Sequence, residues 1–148
     1  MRNGWSLLRE LDLRFYEPTF GTLLAEVEGQ SGKAEAGLEI LDAQLEAIEQ
    51  TGARWFHAEA HRVRGEVLLR RKTPDLPGAQ AAFINAIQIA KAQQTKTFEL
   101  RAAISLAKLY QATGRAKAAR ELLAPAVAGF AEGSELPEVE QANRLLQT

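Results

Sequence analysis

The stretches AQAAFINA (79–86) and ARELLAPA (119–126) each place an alanine, a large apolar residue and a second alanine at matching positions. The equivalent upstream positions are Gly37, Leu41 and Gln44, so the pattern recurs every 40–42 residues. A series of small residues precedes the copies at the same intervals: Ala25, Gly65 and Ala107. Such a repeat predicts stacked helical hairpins, because no hairpin of this kind buries both of its faces alone.

Apolar residues recur at helical spacing along most of the chain, and no long stretch alternates with period two. Turns rich in glycine or proline separate these runs. We therefore expect an all-α fold of about seven to eight helices, a right-handed superhelix of antiparallel helical hairpins. Pro125 predicts a kink or a break within its helix. The expected helices are 3–12, 17–30, 33–50, 54–71, 77–94, 97–112, 115–131 and 137–147.

The repeat register divides the chain into a single helical repeat domain, 1–148. Its expected parts are a partial helix of a preceding repeat (1–12), hairpins at 17–50, 54–94 and 97–131, and a C-terminal capping helix (137–147). The partial helix carries apolar side chains that an earlier helix would cover: Trp5, Leu7, Leu8 and Leu11. Because an exposed apolar patch tends to find a partner, we expect a homodimer through this N-terminal helix.

The element formed by Ala79, Phe83 and Ala86 is the tetratricopeptide (TPR) signature, although these units are longer than the usual TPR. Two segments, RWFHAEAHRVRGE (54–66) and LLAPAVAGFAEG (122–133), resemble the C-terminal TPR region of bacterial multidomain signalling proteins. In that family a class III adenylate/guanylate cyclase or a winged-helix regulator precedes an ATPase module and the repeats. The resemblance covers nearly the whole chain and implies a non-catalytic protein-interaction segment in signal transduction. Nothing in the chain resembles the cyclase or the ATPase, so no catalytic residue carries over.

The composition argues against several classes of partner and of chemical site. With 46% apolar and 25% charged residues the chain is typical of a globular protein, and a net charge of −1 favours neither nucleic acid nor an anionic membrane as partner. No run approaches the roughly 20 apolar residues of a membrane helix. The absence of cysteine removes disulfides, thiolate metal sites and cysteine nucleophiles, and it is compatible with a cytoplasmic location.

Three local motifs have a structural interpretation that we prefer to a chemical one. His57 and His61 lie four residues apart but do not form the metalloprotease order HExxH. The GQSGK segment (29–33) lacks the spacing of a phosphate-binding loop, and the basic run 70–72 suits a helix C-terminus. We therefore expect no metal, no cofactor and no enzymatic activity.

The first helices of a TPR stack line a concave face, which is the most plausible binding surface. The register places ten polar residues there: Thr19, Thr22, Glu26, Glu59, Arg62, Glu66, Arg70, Arg101, Lys108 and Gln111. Two interpretations remain open. Inter-repeat ion pairs, Glu59 with Arg101 and Glu66 with Lys108, would each contribute about 0–1 kcal/mol; alternatively, the same charges bind a peptide. A small-molecule sensor that regulates an attached cyclase or ATPase is the alternative function, and a closed apolar pocket would favour it.

Overall fold

The structure is a computed structural model that describes residues 16–131 and 133–147. Those residues are 81% helical, with seven α-helices and no strand, so the all-α prediction is confirmed. The helices are α1 (Glu17–Gln30), α2 (Ala34–Thr51), α3 (His57–Leu69), α4 (Leu76–Ala92), α5 (Lys96–Ala112), α6 (Ala116–Ala128) and α7 (Pro137–Leu146), and a 3-10 turn (Arg54–Phe56) precedes α3. The expected helix at 3–12 lies outside the described residues. None of the described helices is long and apolar enough to cross a membrane.

Every turn between consecutive helices except the α3–α4 connection contains a left-handed residue. Gly52 (φ 70°) ends α2 and Gly114 (φ 76°) follows α5, and a left-handed backbone is the usual way to close a helix C-terminus. The turn between α4 and α5 has no glycine, and Gln94 itself takes up φ 55° there. Asp75 Oδ1 accepts a hydrogen bond from Gly78 N at 2.9 Å and so caps the start of α4.

The helices pack in two ways. Each helix contacts the next along the chain, and α1 also packs on α3, α3 on α5, and α5 on α7. We call α1, α3, α5 and α7 the first-helix row. This row places side chains from four separate segments next to one another and so positions the candidate site. The right-handed sense of the superhelix stays a prediction.

The large apolar positions and the small residues in front of them are buried, as the register requires, whereas Gln44 and Ala126 are half-buried. Leu41, Phe83 and Leu123 are fully buried. A Cβ added at Gly65 would lie 2.4 Å from Phe83 Cε1, and one added at Gly37 would lie 2.8 Å from the backbone oxygen of Ala25. Glycine is therefore required at both positions for neighbouring helices to approach this closely.

One position that departs from the repeat pattern of this chain has a local partner. Gln44 stands where the pattern has a small residue, and its side chain lies over Gly21 of α1. A Cβ at Gly21 would come within 2.3 Å of Gln44 Cδ. The small residue of this contact is thus Gly21 on the facing helix, and it leaves room for the larger side chain of Gln44.

Pro125 lies within α6, which continues beyond it to Ala128. The predicted break into two abutting helices is therefore wrong, and the predicted kink stays a prediction. Proline removes the hydrogen bond to the carbonyl of Glu121, four residues back. Both residues are exposed, so water can reach that carbonyl and the helix tolerates the loss.

Candidate functional site

A polar cleft of about 380 Å³ opens along the first-helix row. Five of the ten side chains predicted for the concave face line it: Glu26, Arg62, Glu66, Arg101 and Lys108. Helix α7 adds Glu138, Gln141 and Arg144, which the sequence-based list missed because it stopped at the third hairpin. The signal was available, since α7 follows the third hairpin as a further first helix would.

A buried ion pair forms the floor behind this cleft. Glu59 and Arg62 are only 3% and 7% exposed, and their i, i+3 spacing places them on one face of α3. Arg62 Nε and Nη2 donate to Glu59 Oε2 and Oε1 at 3.0 and 2.8 Å. Arg101 Nη2 on α5 lies 2.8 Å from the same Oε1 atom, so the predicted Glu59–Arg101 pair is confirmed.

Arg62 also links α3 to α1. Burial alone would lower the pKa of Arg62, but the hydrogen bond to Glu59 and the charges of Glu59, Glu26 and Glu66 outweigh that effect and raise the pKa. Arg62 Nη2 lies 3.5 Å from Glu26 Oε1 on α1, and Nη1 lies 3.7 Å from Glu66 Oε1. The guanidinium therefore stays charged and contacts three carboxylates, and Arg101 and Arg70 supply the two further positive charges that balance them.

The second predicted pair, Glu66 with Lys108, is wrong. Among the described residues no ion pair within 4.0 Å joins them. Ser105, one turn earlier on α5, donates to Glu66 Oε1 at 2.7 Å, and Arg70 Nη1 lies 3.8 Å from Oε2. Lys108 is left exposed at the cleft.

The remaining predicted residues support the fold beside the cleft. Thr22 is fully buried, and its hydroxyl donates to the Pro18 carbonyl at 2.7 Å. Gln111 Nε2 donates to the Leu145 carbonyl at 3.1 Å and so holds the end of α7. Thr19 is half-buried and does not line the cleft. The residues predicted for self-association, Trp5, Leu7, Leu8 and Leu11, lie outside the described residues.

The two histidines form a close pair on α3. His57 Nε2 and His61 Nε2 are 3.3 Å apart, so one nitrogen carries the proton and the other accepts it. Burial lowers the pKa of both, and that of His61 falls to about 4 with further contributions from His57 and Arg64. Within residues 16–131 and 133–147, no group of three or more His, Cys, Asp or Glu side chains is arranged to hold a metal.

The lowered pKa of the half-buried His61 predicts a pH-dependent stability. An unfolded His61 binds its proton near pH 6.5 and the folded one near pH 4. Between these values the unfolded chain binds more protons, so the free energy of unfolding falls as the pH falls. We expect His61→Gln to lose less stability than the wild type across this window in urea titrations at several pH values. Equal pH slopes for the two proteins would contradict the assignment.

A second cleft, of about 990 Å³, lies between the turn after α1 and the segment after α3. Its lining includes Gly32 and Lys33 of the GQSGK segment and the whole basic run 70–72. The sequence analysis treated these two segments separately. Three of its cations lie within 4.0 Å of carboxylates: Lys33 with Glu28 (3.3 Å), Arg70 with Glu66 (3.8 Å) and Arg71 with Glu35 (2.8 Å). These three cations therefore already have carboxylate partners within the chain.

An aromatic series at the start of the first helices was missed by the sequence analysis. Tyr16, Phe56 and Phe98 occupy the same register position, 40 and 42 residues apart. Trp55 bridges the first two, with ring centroids 6.4 Å from Tyr16 and 5.2 Å from Phe56, and Phe56 lies 5.6 Å from Phe98. All three contacts are edge-to-face, an arrangement that stabilises aromatic pairs. The spacing of 40 and 42 residues, which matches the repeat register, could have revealed this series from the sequence.

Comparison with known proteins finds a similar segment in a much longer chain. The chain is 33% identical over 115 residues to an uncharacterized protein of Rhizobium meliloti (strain 1021). The match covers 77% of this chain and 11% of that protein, so the chain spans about a tenth of the relative's length. No family model matches the chain, and no solved structure matches it significantly.

Proposed function

We propose that this chain is a non-catalytic protein–protein interaction module, the C-terminal TPR region of a cytoplasmic bacterial signalling protein. The observation that carries the proposal is the open polar cleft along the first-helix row. An open cleft with charged walls suits an extended peptide better than a small molecule, which needs a more enclosed and apolar pocket. The occurrence of a similar segment as 11% of a longer protein supports a role within a multidomain chain.

The charges of the cleft indicate what the peptide carries. Glu26, Glu59 and Glu66 lie within 4.0 Å of Arg62, Arg101 and Arg70, so these three carboxylates are already balanced by three cations. Lys108 stands on the wall, exposed and without an ion pair among the described residues. An acidic side chain or a C-terminal carboxylate of a peptide would therefore find its strongest interaction at Lys108.

Selection of peptides from a random display library against the 148-residue chain tests this function. We expect enrichment of peptides with acidic residues, and we expect Lys108→Glu to weaken the selected peptides by about tenfold or more, because an attraction becomes a repulsion. Affinities would be measured by fluorescence anisotropy, and binding should weaken as salt rises.

Lys117→Glu provides the matched control. Lys117 lies on α6, away from the cleft, and its side chain is 88% exposed. The substitution therefore changes the charge by the same amount as Lys108→Glu does, but outside the cleft. Failure to enrich any peptide would contradict the proposed function. Selected peptides that bind both lysine variants equally well would show that the cleft is not the binding surface.

A further inference from the structure

The two histidines of α3 hold their Nε2 atoms at the separation of two ligands on one metal ion. These atoms are 3.3 Å apart. Zinc–nitrogen bonds of about 2.0–2.1 Å in a tetrahedral arrangement place two ligand nitrogens about 3.3–3.4 Å apart. The i, i+4 spacing of His57 and His61 places both rings on one face of the helix, so the folded helix itself sets this separation. Both residues are half-buried, so solvent reaches the pair.

A ladder of charged side chains connects α2 with the segment 57–71, and the histidine pair lies at its end. Its acidic side comprises Glu35, Asp42 and Glu49, and its other side comprises Arg71, Arg64 and His57, each residue seven positions from the next. Glu35 Oε1 lies 2.8 Å from Arg71 Nε, and Asp42 Oδ1 lies 3.2 Å from Arg64 Nη2. At the third rung Glu49 Oε1 lies 4.0 Å from His57 Nε2. Two carboxylates of the ladder thus face guanidinium groups, and the third faces an imidazole.

The charges around the pair favour a cation on the side of Glu49. Burial lowers the pKa of both histidines, so both are neutral at pH 7, and the neutral imidazole is the form that binds a metal. The Glu49 carboxylate attracts a positive charge at both rings, whereas Arg54 repels one at His57 and Arg64 repels one at His61. The side chain of Glu49 is 63% exposed, so it can turn toward an ion beside the rings. Glu49 is therefore the natural counter-charge of a cation bound by the pair.

We propose that His57 and His61 bind one divalent transition-metal ion of the zinc class through their Nε2 atoms, with Glu49 as its counter-charge. Imidazole nitrogen suits zinc, copper and nickel, whereas magnesium and calcium take oxygen ligands. No third His, Cys, Asp or Glu of the described residues is already in place as a ligand, so water occupies the remaining coordination positions. Binding uses the lone pairs of both Nε2 atoms, so the imidazole that carries its proton on Nε2 carries it on Nδ1 instead.

The bound ion interacts with two successive hairpins, with α3 through the histidines and with α2 through Glu49. The two nitrogens have this separation only in the folded helix, so zinc binds the native chain in preference to the unfolded one and stabilises it. The spacing of the two histidines alone predicted no metal, and the distance between their nitrogens is what changes that interpretation. Neither histidine lines the polar cleft, so the proposal is independent of peptide binding there.

Isothermal titration calorimetry with zinc chloride, on the 148-residue chain without a histidine tag, measures the binding. His57 and His61 are the only histidines of the chain and it has no cysteine, so one zinc bound per chain points to this pair. We expect His57→Gln and His61→Gln each to weaken binding by about tenfold or more, since even the partners of metal ligands contribute about 10–100-fold. Zinc at a hundred times its Kd should raise the thermal unfolding midpoint of the wild type by about 5–10 °C, and magnesium should not raise it.

Glu46→Gln is the matched control for Glu49→Gln, because Glu46 is exposed about one turn earlier on α2 and both substitutions remove one negative charge. Glu49→Gln should weaken zinc binding more than Glu46→Gln does, and circular dichroism should show all variants folded. A wild type that binds no zinc would overturn the proposal, as would zinc binding that is unchanged in both histidine variants. Equal affinities of Glu49→Gln and Glu46→Gln would overturn the assignment of Glu49 as the counter-charge.

Discussion

Replacing Phe83 with alanine should lower the free energy of unfolding by about 3–5 kcal/mol, the usual loss for a large aromatic side chain deleted from a core. Phe83 is fully buried and belongs to the larger apolar cluster. Its ring lies against Gly65 of α3, where no side chain can expand into the void. Denaturant unfolding followed by circular dichroism measures the change, and Leu76→Ala, at an exposed site, should change stability by less than about 1 kcal/mol.

A substitution at Gly65 tests how much of the effect of Phe83 comes from its contact with Gly65. Gly65→Leu alone should destabilise by about 1–3 kcal/mol, because its side chain overlaps the ring of Phe83. The double variant Phe83→Ala/Gly65→Leu should lose less stability than the two single variants lose together. The reason is that the leucine then occupies part of the space that the ring leaves. Additive losses would mean that the two positions do not share one packing site.

The helices were predictable from sequence because their signals are local. Apolar periodicity and glycine turns such as Gly52 and Gly114 lie within each segment, and every expected helix in the described range matches an observed one within three residues at each end. The repeat register also placed Leu41, Phe83 and Leu123 in the core correctly. These inferences need only spacing along the chain.

The site was less predictable because its contacts depend on side-chain reach between helices. The register correctly paired Glu59 with Arg101, yet it paired Glu66 with Lys108 when Ser105 is the residue that reaches Glu66. A shift of one turn along α5 decides between these two partners, and that shift depends on how α5 packs. Spacing along the chain does not contain this information.

Exposure was the other property that spacing could not supply. Phe20, Leu23 and Val27 have the same periodicity as the buried residues of α3 and α5, so the sequence pattern treats all three faces alike. What distinguishes them is how far each face is exposed in the assembled stack, and Phe20, Leu23 and Val27 are about half exposed. The self-association predicted from Trp5, Leu7, Leu8 and Leu11 stays a prediction, because those residues lie outside the described ones.

Among the described residues, the loss of the Glu59 carboxylate should have the largest electrostatic effect on stability. Glu59→Ala removes the carboxylate that accepts three contacts of 2.8–3.0 Å from Arg62 and Arg101. Arg62 is 7% exposed and keeps only the longer contacts to Glu26 and Glu66. Breaking one partner of a buried pair costs about 3–5 kcal/mol, because the remaining charge has lost both water and its counter-ion. Glu121→Ala, which removes an exposed carboxylate beside Lys117, should cost about 0–1 kcal/mol.

A further substitution tests whether the cost comes from the isolated charge. In Glu59→Met/Arg62→Met both buried charges are replaced by apolar side chains of similar length, and Arg101 is exposed enough to be hydrated by water. We expect this double variant to be more stable than Glu59→Ala, because no buried charge is left without its main partner. Denaturant unfolding at one pH compares the three proteins. A double variant less stable than Glu59→Ala would mean that Arg62 contributes mainly through its links to Glu26 on α1 and to Glu66, and that the charge network holds the first-helix row together.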